Sequence, residues 1–156
     1  AKIHTNYPNT QFMILGEGPE RKNIEAKRQQ LGLESAVLLP GHVPHASSLL
    51  KAFDAFVLPS AKEGMSWALI EAMAAELPCI ATDVGANQWL LENRAGWIVP
   101  ARDTASLIEA MKKIYLDTNE SLTRAKTAKK RIQEDFPLEK TLAENARVLT
   151  ENSCMT

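Results

Sequence analysis

The sequence predicts a doubly wound α/β fold on a parallel sheet, and three observations carry the expectation. Short runs of almost continuous apolar residues alternate with longer stretches of helical period, the strand, helix, strand order that gives right-handed crossovers. The runs do not alternate polar with apolar, as befits strands buried on both faces. The loops with unusual residues all follow strands, at the carboxyl-end face where open α/β sheets bind ligands.

The first run is Gln11 to Leu15. Gly16, Glu17, Gly18 and Pro19 follow, then a helix over 19–31, for which Pro19 and Glu20 suit the first turn and Gly32 the stop. The second strand, Ala36 to Leu39, leads through Gly41, His42, Val43 and Pro44 to a helix over 45–52. The third, Ala55 to Leu58, runs through Pro59 and Ser60 into a helix over 66–76. Cys79 to Thr82 is the fourth, with Asp83 to Asn87 as its loop and a helix over 86–92 behind it. Trp97 to Val99 is the fifth, and Asp103 is the expected N-cap of a helix over 104–116. Two more helices are expected over 120–134 and 138–151. Residues 1–156 thus read as one domain, with a core over 11–116 and C-terminal helices over 119–151.

Composition bounds the function. A chain of 156 residues, 45% hydrophobic and 24% charged, has the make-up of a globular domain with a sizeable core. A net charge of −1 supplies no general field for nucleic acid, which is excluded as a main partner. Cys79 in an apolar strand and Cys154 in a polar tail form neither a metal spacing nor a disulfide framework, and read as reduced thiols of a cytosolic protein. No apolar run approaches the ~18 residues of a membrane span. The one basic cluster, Leu122 to Gln133 with Arg124, Lys126, Lys129, Lys130 and Arg131, reads first as a solvated helix face. Contact with a partner domain or a lipid headgroup is its second reading.

Residues 63 to 71, EGMSWALIE, are the candidate site. A helix start behind a parallel strand offers unpaired N–H groups and a positive dipole end, suited to a phosphate. Glu63 and Glu71 flank it, and carboxylates hold neutral hydroxyls rather than phosphate. Glu71 is the lone charge between Ala68, Leu69 and Ile70 on one side and Ala72, Met73, Ala74 and Ala75 on the other, so it is expected to reach a partner or a cleft. Gly16 permits close backbone approach to a ligand, but position 21 is Arg, which breaks the six-residue dinucleotide fingerprint and argues against NAD. His42 and His45 stand beside no nucleophile or metal partner; Trp67, Trp89 and Trp97 read as core or interface residues.

The stretches FMILGEGPER, LLPGHVP, FDAFVLPSAKEG, ALIEAMAAELPCIATDVGAN and AGWIVPARD together resemble the C-terminal, donor-binding domain of the retaining glycosyltransferases of the group 1 class, family four. Those enzymes pair two Rossmann-like domains in the GT-B arrangement. The resemblance implies a Rossmann-like doubly wound sheet that is one half of such an enzyme, and a nucleotide-sugar donor as substrate, with no cofactor and no metal. It implies that Glu63 hydrogen-bonds the donor sugar as the catalytic-site carboxylate and that Glu71 takes the ribose hydroxyls. The backbone N–H groups of Gly64, Met65, Ser66 and Trp67 would serve the sugar and diphosphate, the main chain near Val43 would read the base, and Gly16 would line the cleft. An acceptor glycan or glycolipid would be held by an N-terminal domain. The implied setting is cytoplasmic polysaccharide or glycolipid synthesis, with the inner face of the membrane as a place of work through peripheral association.

The departures from that pattern carry their own expectations. AKIHTNYPNT resembles the end of the family domain's first helix, so the first strand, its loop with an Arg and a Lys for the diphosphate, and the N-terminal domain have no counterpart here. The fragment is therefore expected to be inactive as a transferase. Since the first strand is central in doubly wound order, closure is expected by direct pairing of the 11–15 strand with the 55–58 strand, displacing Gly16 relative to Glu63. Ser66 stands where many members have Gly, and Glu76 where most have a Gly ending the helix; a left-handed backbone at Glu76 would cost about 1 kcal/mol relative to Gly. The reading from a different class is a non-catalytic nucleotide or phosphosugar-binding module that acts through a partner chain.

Overall fold

The computed structural model describes residues 1–136. Their elements are α1 (Lys2–Asn6), β1 (Phe12–Leu15), α2 (Arg21–Gln30), β2 (Val37–Gly41), a 3-10 helix (Ala46–Ala52), β3 (Phe56–Leu58), α3 (Trp67–Ala74), β4 (Cys79–Thr82), α4 (Asn87–Leu90), β5 (Trp97–Val99), α5 (Thr104–Leu116) and α6 (Thr118–Asp135). This is a Rossmann-like α/β fold with all strand pairs parallel. The helix expected over 138–151 lies outside the described residues.

Several boundaries follow from local chemistry. Asp103 caps α5: Oδ1 accepts the N–H groups of Ala105 (2.9 Å) and Ser106 (3.0 Å), and Oδ2 accepts the Ser106 hydroxyl (2.6 Å). Gly32, at φ +62°, closes α2, and the Leu33 N–H reaches back to the Arg28 carbonyl. Glu76 takes the same left-handed conformation, φ +64°, behind α3; its carboxylate is held by Lys129 at 2.8 Å, which offsets part of the cost of a side chain there.

The strands form two sheets, not one. β1 pairs with β2 in the first, and the second has the order β3-β4-β5. The expected direct pairing of the 11–15 strand with the 55–58 strand is not formed, so neither is the displaced cleft it would have produced. The reason is solvation. Phe12 N–H donates to the Ala36 carbonyl and Gly16 N–H to the Gly41 carbonyl, which turns the backbone of Met13 away from β2, as parallel ladders alternate. Met13 and Ile14 are 39% and 45% exposed, so the burial that the pairing argument presumed does not hold for this strand. β1 is accordingly not the strand buried on both faces that its sequence predicts; β4 is, with all four residues buried.

β4 divides the core. Cys79 and Ala81 face a layer containing Leu69, Met73, Leu90, Leu91, Ala128 and Ile132, from α3, α4, its following turn and α6. Ile80 faces the other way, with Val57, Trp97 and Val99, onto Ala110, Leu107 and Met111 of α5. Tyr7, just past α1, stacks at 4.2 Å on Tyr115 of α5 and ties the approach to β1 to the second sheet's helix layer.

Arginines guard the two outer sheet edges. Arg21 and Arg28 of α2 donate to the carbonyls of Leu39 (2.8 Å) and Val37 (3.2 Å), which point away from β1. Arg124 of α6 donates to the Gly96 carbonyl at the head of β5 and stacks 4.6 Å over Trp97. The basic cluster is thus more than a solvated face. Arg124 also binds Glu120, Lys129 binds Glu76, and Arg131 binds Glu92 while lying 5.4 Å from the Trp89 ring. Those three cations clamp α6 to the body of the protein.

Candidate functional site

The EGMSWALIE segment occupies the turn from β3 into α3, at the carboxyl end of the strand. Ser66 is the N-cap: it is 6% exposed, and its Oγ accepts the Leu69 N–H at 3.3 Å while its carbonyl accepts the Ile70 N–H. The N–H groups of Gly64, Met65, Ser66 and Trp67 donate to no acceptor among the described residues. These four groups lie at and just before the N-terminus of α3, where unpaired donors and the positive dipole end favour an anion.

Glu63 is half-buried, and the hydroxyl of Ser60 donates to its Oε1 at 2.6 Å. Oε2 accepts no hydrogen bond among the described residues. Glu71 lies one turn into α3, about 6 Å beyond Trp67 along the axis at 1.5 Å per residue. It is exposed, with Trp67, Ala68 and Ala74, on the strip opposite the buried Leu69, Ile70, Ala72 and Met73. This corrects the expectation that a partner or cleft is forced on it: the apolar neighbours in sequence face the core, and Glu71 does not. Trp67, 73% exposed, and Trp89, 43% exposed, are likewise not core residues, whereas Trp97 at 8% is.

Sequence reasoning missed what holds the turn. Thr82, at the end of β4, donates its hydroxyl to the carbonyls of Ser60 (2.7 Å) and Leu58 (3.3 Å). The Ala86 N–H donates to the Gly64 carbonyl at 2.9 Å, and the amide of the fully buried Asn87 donates to the Thr82 carbonyl at 3.1 Å. Gly85 sits at φ +55° with an ideal Cβ position only 2.4 Å from the Glu63 carbonyl. The sequence signal was a polar residue ending each strand, Ser60 just past β3 and Thr82 in β4, but nothing local says that they meet.

The other predicted residues gather at the end of the first sheet. The Gly16 N–H donates to the Gly41 carbonyl at 2.8 Å, which brings the loop after β1 beside the half-buried Val43. A recess of about 200 Å³ opens there, lined among others by Ile14, Gly16, Pro19, Arg21 and Leu39. No hydrogen bond joins this group to the Glu63 turn among the described residues. Cys79 plays no part: burial pushes its thiol up to about 12, and the S–H donates to the Leu77 carbonyl.

A parallel α/β domain with helices packed on its strands is of the Rossmann-like class, in which ligands meet the carboxyl ends of the strands. Comparison with known sequences makes this specific. Residues 1–117 match the family described as glycosyl transferases group 1, and the chain belongs to it. An Escherichia coli UDP-Gal:alpha-D-GlcNAc-diphosphoundecaprenol alpha-1,3-galactosyltransferase is 34% identical over 112 residues, 70% of this chain and 29% of the relative. A Mycobacterium tuberculosis glycogen synthase is 27% identical across 94% of this chain and 36% of its own length. The chain thus spans about a third of the curated relatives it matches.

Solved structures agree on the fold. Sucrose-phosphate synthase from Thermosynechococcus elongatus superposes with a TM-score of 0.86 at 27% identity, over 94% of this chain and 39% of that one. Anabaena HepE in complex with UDP-glucose gives a TM-score of 0.86 at 22% identity, over 92% of this chain and 42% of that one.

Proposed function

We propose that this chain is the nucleotide-sugar-binding part of a retaining glycosyltransferase of polysaccharide or glycolipid synthesis. The observation that supports the reading most is the turn itself: four free N–H donors between Glu63 and Glu71, with the Glu63 carboxylate already held through one oxygen. In this reading the diphosphate lies against the N–H groups of Gly64 to Trp67, and Glu63 binds hydroxyls of the donor sugar. Glu71 binds the ribose, the main chain at Val43 contacts the base, and Gly16 lines the cleft. Four oriented N–H dipoles would stabilise the charge that grows on the diphosphate as the bond to the sugar's anomeric carbon breaks. The acceptor hydroxyl then bonds to that carbon from the same face and passes its proton to the leaving diphosphate. None of the chain's residues acts as a nucleophile, and neither metal nor cofactor enters. The acceptor is held by a separate domain, so the 156-residue chain alone transfers no sugar.

Uridine nucleotides are the first to test, because a relative's name carries UDP-Gal. Titration of the isotope-labelled chain with UDP, GDP and ADP and their sugars should shift amide resonances from Glu63 to Glu71. Glu71→Gln should weaken both bare and sugar-bearing nucleotides by about 1.5 to 3 kcal/mol, the worth of a hydrogen bond to a charged group. Glu63→Ala should weaken only the sugar-bearing ones. No shift at millimolar nucleotide would end the donor-site reading, and equal losses of bare and sugar-bearing nucleotides in Glu63→Ala would favour a non-catalytic binding module.

A further inference from the structure

We propose that Ser60 is a positioning residue that aims the Glu63 carboxylate at the donor sugar; the inference rests on the donor-site reading above. A glutamate at the rim of a turn has three free side-chain torsions, and an unheld carboxylate would sample several rotamers at an entropic cost on binding. Here the torsions are restrained. The Ser60 hydroxyl donates to Oε1 at 2.6 Å, a short charge-assisted bond that leaves Oε2 without a hydrogen-bond partner among the described residues.

Ser60 is itself fixed, which makes the contact a device rather than a chance encounter on a loop. Its carbonyl accepts the Thr82 hydroxyl at 2.7 Å, and Thr82 is 4% exposed at the end of the central β4. The Thr82 carbonyl is in turn held by the buried Asn87 amide. The backbone of the carboxylate's own turn is pinned separately, by Ala86 N–H on the Gly64 carbonyl and by the close approach of Gly85 to the Glu63 carbonyl. Backbone and side chain of Glu63 therefore take their positions from two different partners. Removing Ser60 Oγ releases the side chain and leaves the backbone clamp intact.

The test uses the full chain, with UDP and UDP-glucose as probes, and Ser60→Ala, Ser60→Thr, Glu63→Ala and the double variant Ser60→Ala/Glu63→Ala. Ser60→Ala should weaken UDP-glucose about fivefold to tenfold, the scale of one hydrogen bond, while UDP binding changes less than about twofold. Ser60→Thr, which keeps a hydroxyl, should recover most of the loss. The double variant should bind UDP-glucose no more weakly than Glu63→Ala alone, because the two residues act through one interaction. In the free protein the side-chain carboxyl carbon resonance of Glu63 should move in Ser60→Ala and return in Ser60→Thr. Equal weakening of UDP and UDP-glucose by Ser60→Ala, additivity in the double variant, or an unmoved Glu63 resonance would overturn the inference and leave the donor-site reading standing. If Glu63→Ala itself fails to separate UDP-glucose from UDP, the donor-site reading falls and the inference with it.

Discussion

Gly85→Ala is the sharpest single test of how the site is built. Gly85 has φ +55°, and a Cβ there would lie 2.4 Å from the Glu63 carbonyl oxygen and 2.5 Å from that of Gly64. Both are backbone atoms, so no side chain can swing aside. Three contributions add. The left-handed conformation costs an alanine about 1 kcal/mol. Backing the loop away forfeits much of the bond from Ala86 N–H to the Gly64 carbonyl, worth about 1 kcal/mol. Moving backbone to relieve the overlap costs a further 1 to 3 kcal/mol or so. Alanine's lower entropy in the unfolded chain returns about 0.5 kcal/mol, for a net loss of about 2.5 to 4.5 kcal/mol. Gly32→Ala is the control, since Gly32 has φ +62° but no atom within 4 Å of its Cβ position; it should lose only about 0.5 kcal/mol. Urea denaturation followed by circular dichroism measures both. If the two variants differ by less than about 1 kcal/mol, the clamp between the two loops is not what the geometry implies.

Two further outcomes concern the ion pairs. The Glu76, Asp103 and Glu120 carboxyls are held below their ordinary values of 4.5, 3.8 and 4.5, chiefly by hydrogen bonds from Lys129, the Ser106 hydroxyl and Arg94 respectively. A carboxyl lowered on folding stabilises the fold above its unfolded value and loses that effect as pH falls through the folded one. The melting temperature should hold steady above pH 4.5 and drop below it, less steeply in Glu120→Gln; an unchanged slope in that variant contradicts the assignment. Arg124→Met should destabilise the protein by about 1 to 3 kcal/mol, because it removes the Gly96 and Glu120 contacts and the stacking on Trp97 together. Lys130→Met, which loses only a 3.6 Å contact between exposed groups, should have little effect in the same melts, and similar losses from both would deny α6 its clamp.

Signals that are local in the chain were legible in the sequence. The five strands fall where the apolar runs place them, α5 has the expected bounds, and Asp103 caps it. The turn at Glu63 to Trp67 was legible for the same reason, since a strand running into a helix start announces itself by order alone. Competition blurred the helix expected over 45–52. Ser48 bonds back to the His45 carbonyl through both its N–H and its hydroxyl, and the segment winds as a 3-10 helix. The helix over 86–92 shrinks to Asn87–Leu90, and the chain behind it takes positive φ at Asn93 and Arg94. Pairing across the two sheets was misjudged because the argument from unpaired groups presumes burial, and exposure belongs to the assembled fold. Ser60 and Thr82 stand 22 positions apart; no spacing rule reaches that far.

The arginines at the sheet margins give the molecule a polarity of stickiness. At β2 and at the head of β5, outward carbonyls are occupied by guanidinium groups, so a stray extended peptide finds no acceptor there to zip against. Among the described residues, no arginine holds a carbonyl of β1 or β3. Any strand added from outside, whether a designed peptide or a neighbour's loosened segment, is directed inward to the seam between the two sheets. Replacing Arg21 and Arg28 would free the carbonyls of Leu39 and Val37 and give the protein one more edge, on its periphery, to which an extended strand could add.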